Sequence, residues 1–120
     1  MRLLALRGAT TCTDDTKTEI DAKTQRLVQE MLDRNGISHD DLVSVLFTAT
    51  DDLTAEFPAT GARALGLGDI PLICARELGV VHGMKRCIRI LMHFYGDHDR
   101  ASLHHVYLED ARSLRDDLPE

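Results

Sequence analysis

The sequence predicts a mixed α/β fold: a single domain in which two helices pack on a five-stranded mixed sheet. Short apolar runs alternate along the chain with a segment whose apolar residues recur at helical spacing. Glycine, proline and charged clusters separate these segments, as expected for turns within one compact chain of 120 residues. Hydrophobic residues make up 43% of the chain and aromatic residues only 4%, so an aliphatic core is expected.

The first strand and the first helix come from clear local patterns. Residues 2 to 7 are apolar on both faces, which predicts a short strand buried on both sides, with Leu3, Ala5 and Arg7 sharing one face. Thr16 and Glu19 have the spacing of a capping box that starts a helix, and residues 35 and 36, Asn-Gly, supply its left-handed stop. The apolar face of this helix consists of Ile20, Thr24, Leu27, Val28 and Met31.

The middle of the chain predicts a strand, a short helix and another strand. A brief helical turn at 38–41 leads into a buried strand at 42–49. Pro58 suits the first position of a helix, and residues 59–65 form a short helix that Gly66 and Gly68 close. Residues 70–74 are a third strand, and Pro71 indicates an edge or an end of the sheet.

The last third of the chain predicts two more strands. Residues 85–94 are the longest strand candidate, with Arg89 and Leu91 on the face opposite Ile88 and Ile90. A turn at 95–100 leads to the last strand at 104–108. Residues 112–120 carry charge and Pro119, so we expect a mobile C-terminal tail within one domain that spans residues 1–120.

Composition and motifs argue against several classes of protein. The chain has 14 Lys and Arg against 20 Asp and Glu, and a net charge of −6 argues against a nucleic-acid or membrane partner. The apolar run at the N-terminus is too short for a signal peptide, so a cytoplasmic protein is expected. Three cysteines without C-x-x-C spacing predict free thiols. Histidine, serine and glycine spacings indicate no metal site, hydrolase triad or dinucleotide loop, so no cofactor is expected.

Arginine is the residue type that most needs an explanation. Four arginines lie beside apolar or aromatic residues, and they are Arg7, Arg63, Arg89 and Arg115. A guanidinium stays charged at physiological pH, and burying one without an anion costs several kcal/mol. Either Glu77, Asp51 and Asp52 pair with these arginines, or an anionic ligand does, and composition supports both explanations about equally.

Five separated motifs run through nearly the whole chain in order and at nearly constant spacing. They are Arg7-Gly8-Ala9-Thr10-Thr11, Ala49-Thr50-Asp51-Asp52-Leu53 continuing through Phe57-Pro58-Ala59 to Arg63, Pro71 to Cys74 with Glu77, Gly83 to Arg89, and His105-Val106-Tyr107-Leu108-Glu109 with Leu114-Arg115. Together they resemble the small monofunctional chorismate mutases of the AroH class.

This resemblance implies an architecture and an activity. The expected assembly is a homotrimeric pseudo-α/β-barrel of packed sheets, with three active sites in clefts between neighbouring subunits. The expected activity is that of an isomerase that converts the chorismate dianion into prephenate by an intramolecular Claisen rearrangement, in the biosynthesis of phenylalanine and tyrosine. The reaction needs no cofactor or metal, because electrostatic and conformational stabilisation of a chair transition state suffices.

The resemblance also assigns roles to residues. It implies Arg89 at the ether oxygen that gains negative charge, Arg7 at a carboxylate, Glu77 at the ring hydroxyl and Tyr107 as a hydrogen-bond donor. The other residues that it implies in substrate binding are Phe57, Arg63, Ile73, Cys74, Leu114 and Arg115. Among these, Phe57 and Leu114 would wall the ring, and the two arginines would line the entrance.

One departure and two rival functions remain at this point. The resemblance implies a lysine three residues after Phe57, where this chain has Thr60, so one cation at the entrance is missing. A small trimeric imine deaminase is an alternative enzyme, since it also holds a carboxylate with an arginine. A non-catalytic trimeric sensor of aromatic-pathway metabolites is the alternative from another class.

Overall fold

The computed structural model describes residues 1–115, and the side chain of Arg115 and residues 116–120 lie outside this description. The predicted mixed fold is confirmed, because five strands form a single sheet in the order β3-β2-β4-β1-β5. The strands are β1 (Arg2–Thr11), β2 (Leu42–Ala49), β3 (Leu72–Arg76), β4 (Cys87–Gly96) and β5 (Val106–Tyr107). The helices are α1 (Lys17–Asn35) and α2 (Pro58–Ala62), and short 3₁₀ segments cover His39–Asp41, Arg100–Ser102 and Glu109–Arg115.

Helix α1 begins and ends where the sequence predicts. The hydroxyl of Thr16 accepts a hydrogen bond from the backbone N–H of Glu19, and Gly36 ends the helix in the left-handed conformation with φ of 58°. The second half of the capping box is different. The Glu19 carboxylate accepts hydrogen bonds from the backbone N–H groups of Thr13 and Asp14, so it anchors the loop between β1 and α1.

The sheet is mixed because its two central pairings are antiparallel and its two edge pairings are parallel. Strand β1 pairs with β4 over ten residues, from Arg2 opposite Gly96 to Thr11 opposite Cys87. Strand β4 also pairs antiparallel with β2. Strand β3 lies parallel to β2 at one edge, as Pro71 predicts, and β5 lies parallel to β1 at the other edge.

One face of the sheet carries the core and the other face is open in the single chain. Helix α1 packs on the first face, where Leu6, Phe47 and Met92 are completely buried. On the open face, Leu3 remains 55% exposed and Ala5 is also exposed. The prediction that the first strand is buried on both sides is therefore wrong for the single chain.

Element boundaries differ from the sequence prediction where pairing outweighs local preference. Strand β1 extends four residues further than predicted, to Thr11, because the ladder with β4 satisfies the backbone of residues 8–11. Strands β3 and β4 each begin and end two residues later than predicted, and β5 shortens to two residues. Helix α2 ends early and widens into a π turn at Arg63–Leu67, which contains Gly66 with φ of 92°.

The predicted tail at 112–120 is only partly described. Residues 112–115 belong to the 3₁₀ segment Glu109–Arg115, and residues 116–120 fall outside the described part of the chain. Within residues 1–115, no helix combines the length and the apolar character that crossing a bilayer requires.

Candidate active site

Four of the residues singled out from the sequence line one cleft of about 240 Å³ on the open face of the sheet. Arg7 comes from β1, Arg89 from β4, Tyr107 from β5, and Glu77 follows the end of β3. Strand register explains this convergence, because Ala9 of β1 is the partner of both Arg89 and Tyr107. Residues that lie far apart in the sequence are therefore neighbours on one surface.

Arg89 is held by a short chain of polar contacts. Its Nε lies 3.4 Å from Oε2 of Glu77, and the same oxygen accepts a hydrogen bond of 2.7 Å from the hydroxyl of Thr48. Thr48 is the strand partner of Arg89 across β2 and β4. The Arg89 side chain is 48% exposed, so Glu77 orients the guanidinium without enclosing it.

Arg7 and Tyr107 face the cleft with polar groups that the rest of the chain does not use. Among residues 1–115, neither the Arg7 guanidinium nor the Tyr107 hydroxyl has a hydrogen-bond or ion-pair partner. The backbone N–H of Arg7 donates to Nδ1 of His105 over 2.9 Å, which ties the approach to β5 to the middle of β1. Both groups are available to an anionic ligand.

Phe57 and Cys74 belong to a second groove of about 390 Å³, formed by the segment 49–58 and strand β3. Phe57 is the residue before α2 and is 68% exposed. Cys74 is the partner of Phe47 and therefore lies on the core side of the sheet. In the single chain these two residues are not in the cleft of Arg89.

The remaining predicted site residues lie around these two grooves. Ile73 is 64% exposed on the open face, where it pairs with Leu46, a residue that lines the cleft of Arg89. Arg63 is exposed at the start of the π turn. Leu114 is half-buried in the last 3₁₀ segment, while the side chain of Arg115 lies outside the described residues.

Thr60 stands where the resemblance implies a lysine. Its hydroxyl donates a hydrogen bond of 3.2 Å to the carboxylate of Glu56, which lies four residues earlier, just before the N-cap of α2. The backbone N–H of Phe57 is the main cause of a lowered pKa of that carboxyl, and the Thr60 hydroxyl adds to the effect. Thr60 thus supports a local carboxylate and adds no positive charge.

The three carboxylates that could have paired with the functional arginines have different partners. Glu77 does pair with Arg89. Asp51 instead pairs with Nε of Arg76 at 2.9 Å, on the exposed edge strand. Asp52 binds backbone N–H of Arg86, and no guanidinium contacts it among the described residues. Internal pairing therefore accounts for Arg89 in part and leaves Arg7 unpaired within residues 1–115.

The three thiols are free, as the cysteine spacing predicts. Burial raises the pKa of Cys12 to about 11. Burial also raises the pKa of Cys87, although the neighbouring Arg89 guanidinium opposes that shift. Both thiols are neutral at physiological pH and are poor nucleophiles, so the chemistry of the cleft rests on its cations, phenol and carboxylate.

Sequence reasoning missed the roles of three residues in this region. A threonine in an apolar strand carries no charge signal, and only the strand register places Thr48 beside Glu77. Thr50 carries no charge signal, and Asp52 is predicted only as a possible partner of an arginine side chain, yet both bind the backbone at the start of β4. Their spacing beyond β2 could have suggested a loop anchor.

The described residues contain no group of three or more His, Cys, Asp or Glu side chains that could hold a metal ion. The cleft instead offers two guanidinium groups, one phenol and one carboxylate at neighbouring positions. Such a set can bind a small molecule that carries two negative charges and a hydroxyl group, and can stabilise further negative charge that develops on it.

Comparisons with known proteins agree on one family. The family described as "Chorismate mutase type I" matches residues 3–118. A chorismate mutase AroH from Thermus thermophilus is 43% identical over 94% of this chain and 93% of its own length. A chorismate mutase AroH from Bacillus subtilis is 40% identical over 98% and 94%, respectively. The solved structure of a chorismate mutase from Clostridium thermocellum superimposes with a TM-score of 0.90 at 44% identity, covering 92% of this chain and 98% of that one.

Proposed function

The chain belongs to the chorismate mutase type I family and is a chorismate mutase, an isomerase, and we propose that it rearranges chorismate to prephenate in the cleft of Arg7, Glu77, Arg89 and Tyr107. The observation that carries this assignment is the convergence of these four side chains from four separate segments on one cleft. The product serves the biosynthesis of aromatic amino acids.

The chemistry asks for positioning and charge stabilisation. Chorismate is a dianion, and its rearrangement is intramolecular, so no group of the protein has to form a bond to it. The breaking ether bond leaves partial negative charge on oxygen in a compact chair transition state. A fixed cation aimed at that oxygen binds the transition state more strongly than the ground state, which lowers the barrier.

Arg89 is the residue that we assign to the ether oxygen. Glu77 approaches it through Nε, so the terminal nitrogens of the guanidinium are the groups expected to donate to the substrate. The contacts of Thr48 and Arg89 both use Oε2 of Glu77. Oε1 of Glu77 is then the acceptor that we assign to the ring hydroxyl of the substrate.

Arg7 and Tyr107 are assigned to the carboxylates of the substrate. The guanidinium of Arg7 and the phenol of Tyr107 have no partner among residues 1–115, and both line the same cleft as Arg89. A guanidinium can bind a carboxylate through two parallel hydrogen bonds, and a phenol adds one more. These contacts hold the two reacting arms of chorismate together, which favours the folded conformer.

We further propose a homotrimer in which each site lies between two neighbouring copies. Two observations support this assembly: the candidate substrate-binding residues fall into two separate grooves of one chain, and apolar side chains on the sheet face remain exposed. The second groove would contribute Phe57 and Cys74 to the neighbour's cleft. The other residues assigned to substrate binding are Arg63, Ile73, Leu114 and Arg115.

The roles of these residues differ by chemistry. Phe57 and Leu114 would wall the ring of the substrate, and Arg63 and Arg115 would attract the dianion at the entrance. Thr60 adds no cation there, so we expect association to depend less on ionic strength than it would with a lysine at this position. We propose a cytoplasmic location for this activity.

The direct test is to incubate the purified protein with chorismate and follow the loss of its absorbance. We expect turnover by the wild type and a large loss in Arg89→Ala. The matched control is Arg34→Ala, which removes a guanidinium from the surface of α1, where it pairs only with Glu30 among described residues. Binding of prephenate without turnover would favour the metabolite sensor, and turnover of an imine in place of chorismate would favour the deaminase.

A further inference from the structure

Arg86, the residue before β4, has an unusual backbone conformation. Its φ is 46°, in the left-handed region that side chains other than glycine rarely adopt. It lies three residues before Arg89 and directly precedes β4, the strand that carries the assigned catalytic cation. A strained residue beside a functional group persists only when neighbouring contacts hold it in place.

The contacts that hold Arg86 come from Asp52 and Cys12. The backbone N–H of Arg86 donates to both carboxylate oxygens of Asp52, each at 3.0 Å. Beyond this contact, Nε of Arg86 donates to the carbonyl of Cys12 at 3.1 Å, and its own carbonyl accepts from the N–H of Cys12 at 2.8 Å. Both ends of the residue are therefore fixed.

The same carboxylate also organises the next residue of the chain. The hydroxyl of Thr50 donates to Asp52 at 2.6 Å and accepts from the backbone N–H of Cys87 at 2.9 Å. The N–H of Thr50 donates to the carbonyl of Cys87 at 3.1 Å. Asp52 and Thr50 thus bind two successive residues, 86 and 87, where β4 begins.

We propose that Asp52 is a positioning residue for Arg89. It holds Arg86 in its left-handed conformation and so fixes the backbone at the start of β4. This rests on the assignment of Arg89 to the ether oxygen. Strand ends fray unless they are anchored, and Arg89 is only the third residue of β4. Fraying would move its guanidinium away from the reacting oxygen, and such small displacements are costly in rate.

The first test separates positioning from general stability. Asp52→Ala is expected to lower kcat by roughly tenfold or more, with little change in KM, because only the alignment in the transition state is lost. The matched control is Asp33→Ala, which removes an exposed carboxylate on α1 that accepts a hydrogen bond from Gln29, and it should leave kcat unchanged. Rates are measured well below the melting transition of each variant. Equal kcat in Asp52→Ala and wild type would overturn the proposal.

The second test uses the backbone conformation itself. Glycine adopts positive φ readily and alanine does not, while both remove the guanidinium of Arg86. In the Asp52→Ala background, adding Arg86→Gly should recover most of the lost kcat, and adding Arg86→Ala should recover none. If the two double variants have the same kcat, the left-handed conformation does not carry the effect and the proposal is wrong.

A third measurement links the effect to Arg89. In an Arg89→Ala background, adding Asp52→Ala should change the residual kcat by less than about twofold, because no cation is left to position. A full additive loss would overturn the proposal. If Asp52→Ala does not fold, Asp52→Asn, which keeps one acceptor for the N–H of Arg86, takes its place and should still lower kcat relative to wild type. The wild-type rate with chorismate, measured first, tests the proposed function separately from this role of Asp52.

Discussion

Arg89 is held by a carboxylate without being enclosed by it. Glu77 contacts Nε at 3.4 Å, a loose pairing on a side chain that remains 48% exposed. A tighter, buried pair would direct the cation at the protein's own carboxylate and weaken its hold on a ligand. The Thr48 hydroxyl shares the same oxygen of Glu77, which further limits how strongly that oxygen can hold the guanidinium.

The first prediction concerns the shape of this cation. Arg89→Lys keeps the charge but replaces a fixed planar fork with a flexible point charge, so we expect kcat to fall by roughly 10²–10³ while the protein folds normally. Steady-state kinetics with chorismate and a thermal melt measure the two quantities. Arg34→Lys, on the surface of α1, is the control and should leave kcat unchanged. Near-wild-type kcat in Arg89→Lys would remove Arg89 from its assigned role.

Some residues of the candidate site could be predicted from the sequence and others could not. Arg7 and Arg89 attract attention because an unpaired guanidinium near apolar residues needs an anion, and Glu77 follows as a possible partner. Thr48 and the role of Asp52 could not be predicted in this way. Their contributions depend on the register of β2 against β4 and on a backbone hydrogen bond to Arg86, which local sequence does not encode.

At the scale of elements, α1 was predictable and the strand ends were not. A cap at Thr16, a left-handed glycine at position 36 and helical spacing between them are all local signals. Strand β1 contains Gly8 and Ala9, which disfavour strands, and it is extended there because β4 pairs with it through Thr11. Strand β5 is limited to two residues because β1 is its partner at only two positions.

The second prediction concerns the loop that leads into α1. Backbone hydrogen bonds from Thr13 and Asp14 lower the pKa of Glu19 below its ordinary value of 4.5. A lowered folded-state pKa means that the ionised carboxylate stabilises the fold above the unfolded-state pKa, and that this stabilisation is lost as pH falls through the folded-state value. Glu19→Gln should therefore melt at a lower temperature than wild type at neutral pH.

The difference in melting temperature should shrink as the pH falls below 4.5 and through the folded-state pKa of Glu19, because wild type then loses the same contribution. Thermal melts across this range measure it. Glu30→Gln, which removes an exposed i,i+4 pair with Arg34, is the control and should change the melting temperature little. A constant difference between Glu19→Gln and wild type at all pH values would argue against the carboxylate as the anchor.

The third prediction concerns the packing of α2 on α1, which sets where Phe57 and Arg63 lie. A Cβ added at Gly61 would come within 2.9 Å of the backbone oxygen of Asp21. Backbone cannot move aside as a flexible side chain can, so Gly61→Ala should destabilise the fold by about 1–3 kcal/mol. Gly68→Ala is the matched control, with φ of −66° and no heavy atom within 4 Å of the added carbon.

Chemical denaturation measures both glycine variants. Gly68→Ala is expected to be neutral or slightly stabilising, because alanine reduces the freedom of the unfolded chain without strain in the fold. If both variants had the same free energy of unfolding, the close approach of the two helices at Gly61 would not limit the packing. Loss of kcat in Gly61→Ala below its melting transition would further connect this contact to the groove of Phe57.

At the scale of the whole molecule, the single chain presents two separate grooves and an uncovered sheet face. The cleft of Arg89 and the groove of Phe57 share no lining residue. A contact in which one copy's cleft meets the next copy's groove is heterologous, and such contacts close into a ring when the rotation between copies allows it. A trimer should have a native mass three times the 13.4 kDa of one chain.

The fourth prediction tests whether each site is shared between copies. Arg89→Ala removes the cation of the cleft, and Phe57→Asp introduces a charge into the groove at a residue that is 68% exposed, so both variants should fold and be nearly inactive. Co-expressed in equal amounts, they should recover up to about a quarter of wild-type activity, because a random pairing joins an intact cleft to an intact groove in that fraction of interfaces. The control is co-expression of the single variants Arg89→Ala and Arg7→Ala. This pair should recover no activity, since both residues line the same cleft of one chain. Recovery in the control pair, or none in the test pair when both variants assemble as trimers, would mean that one chain holds the whole site.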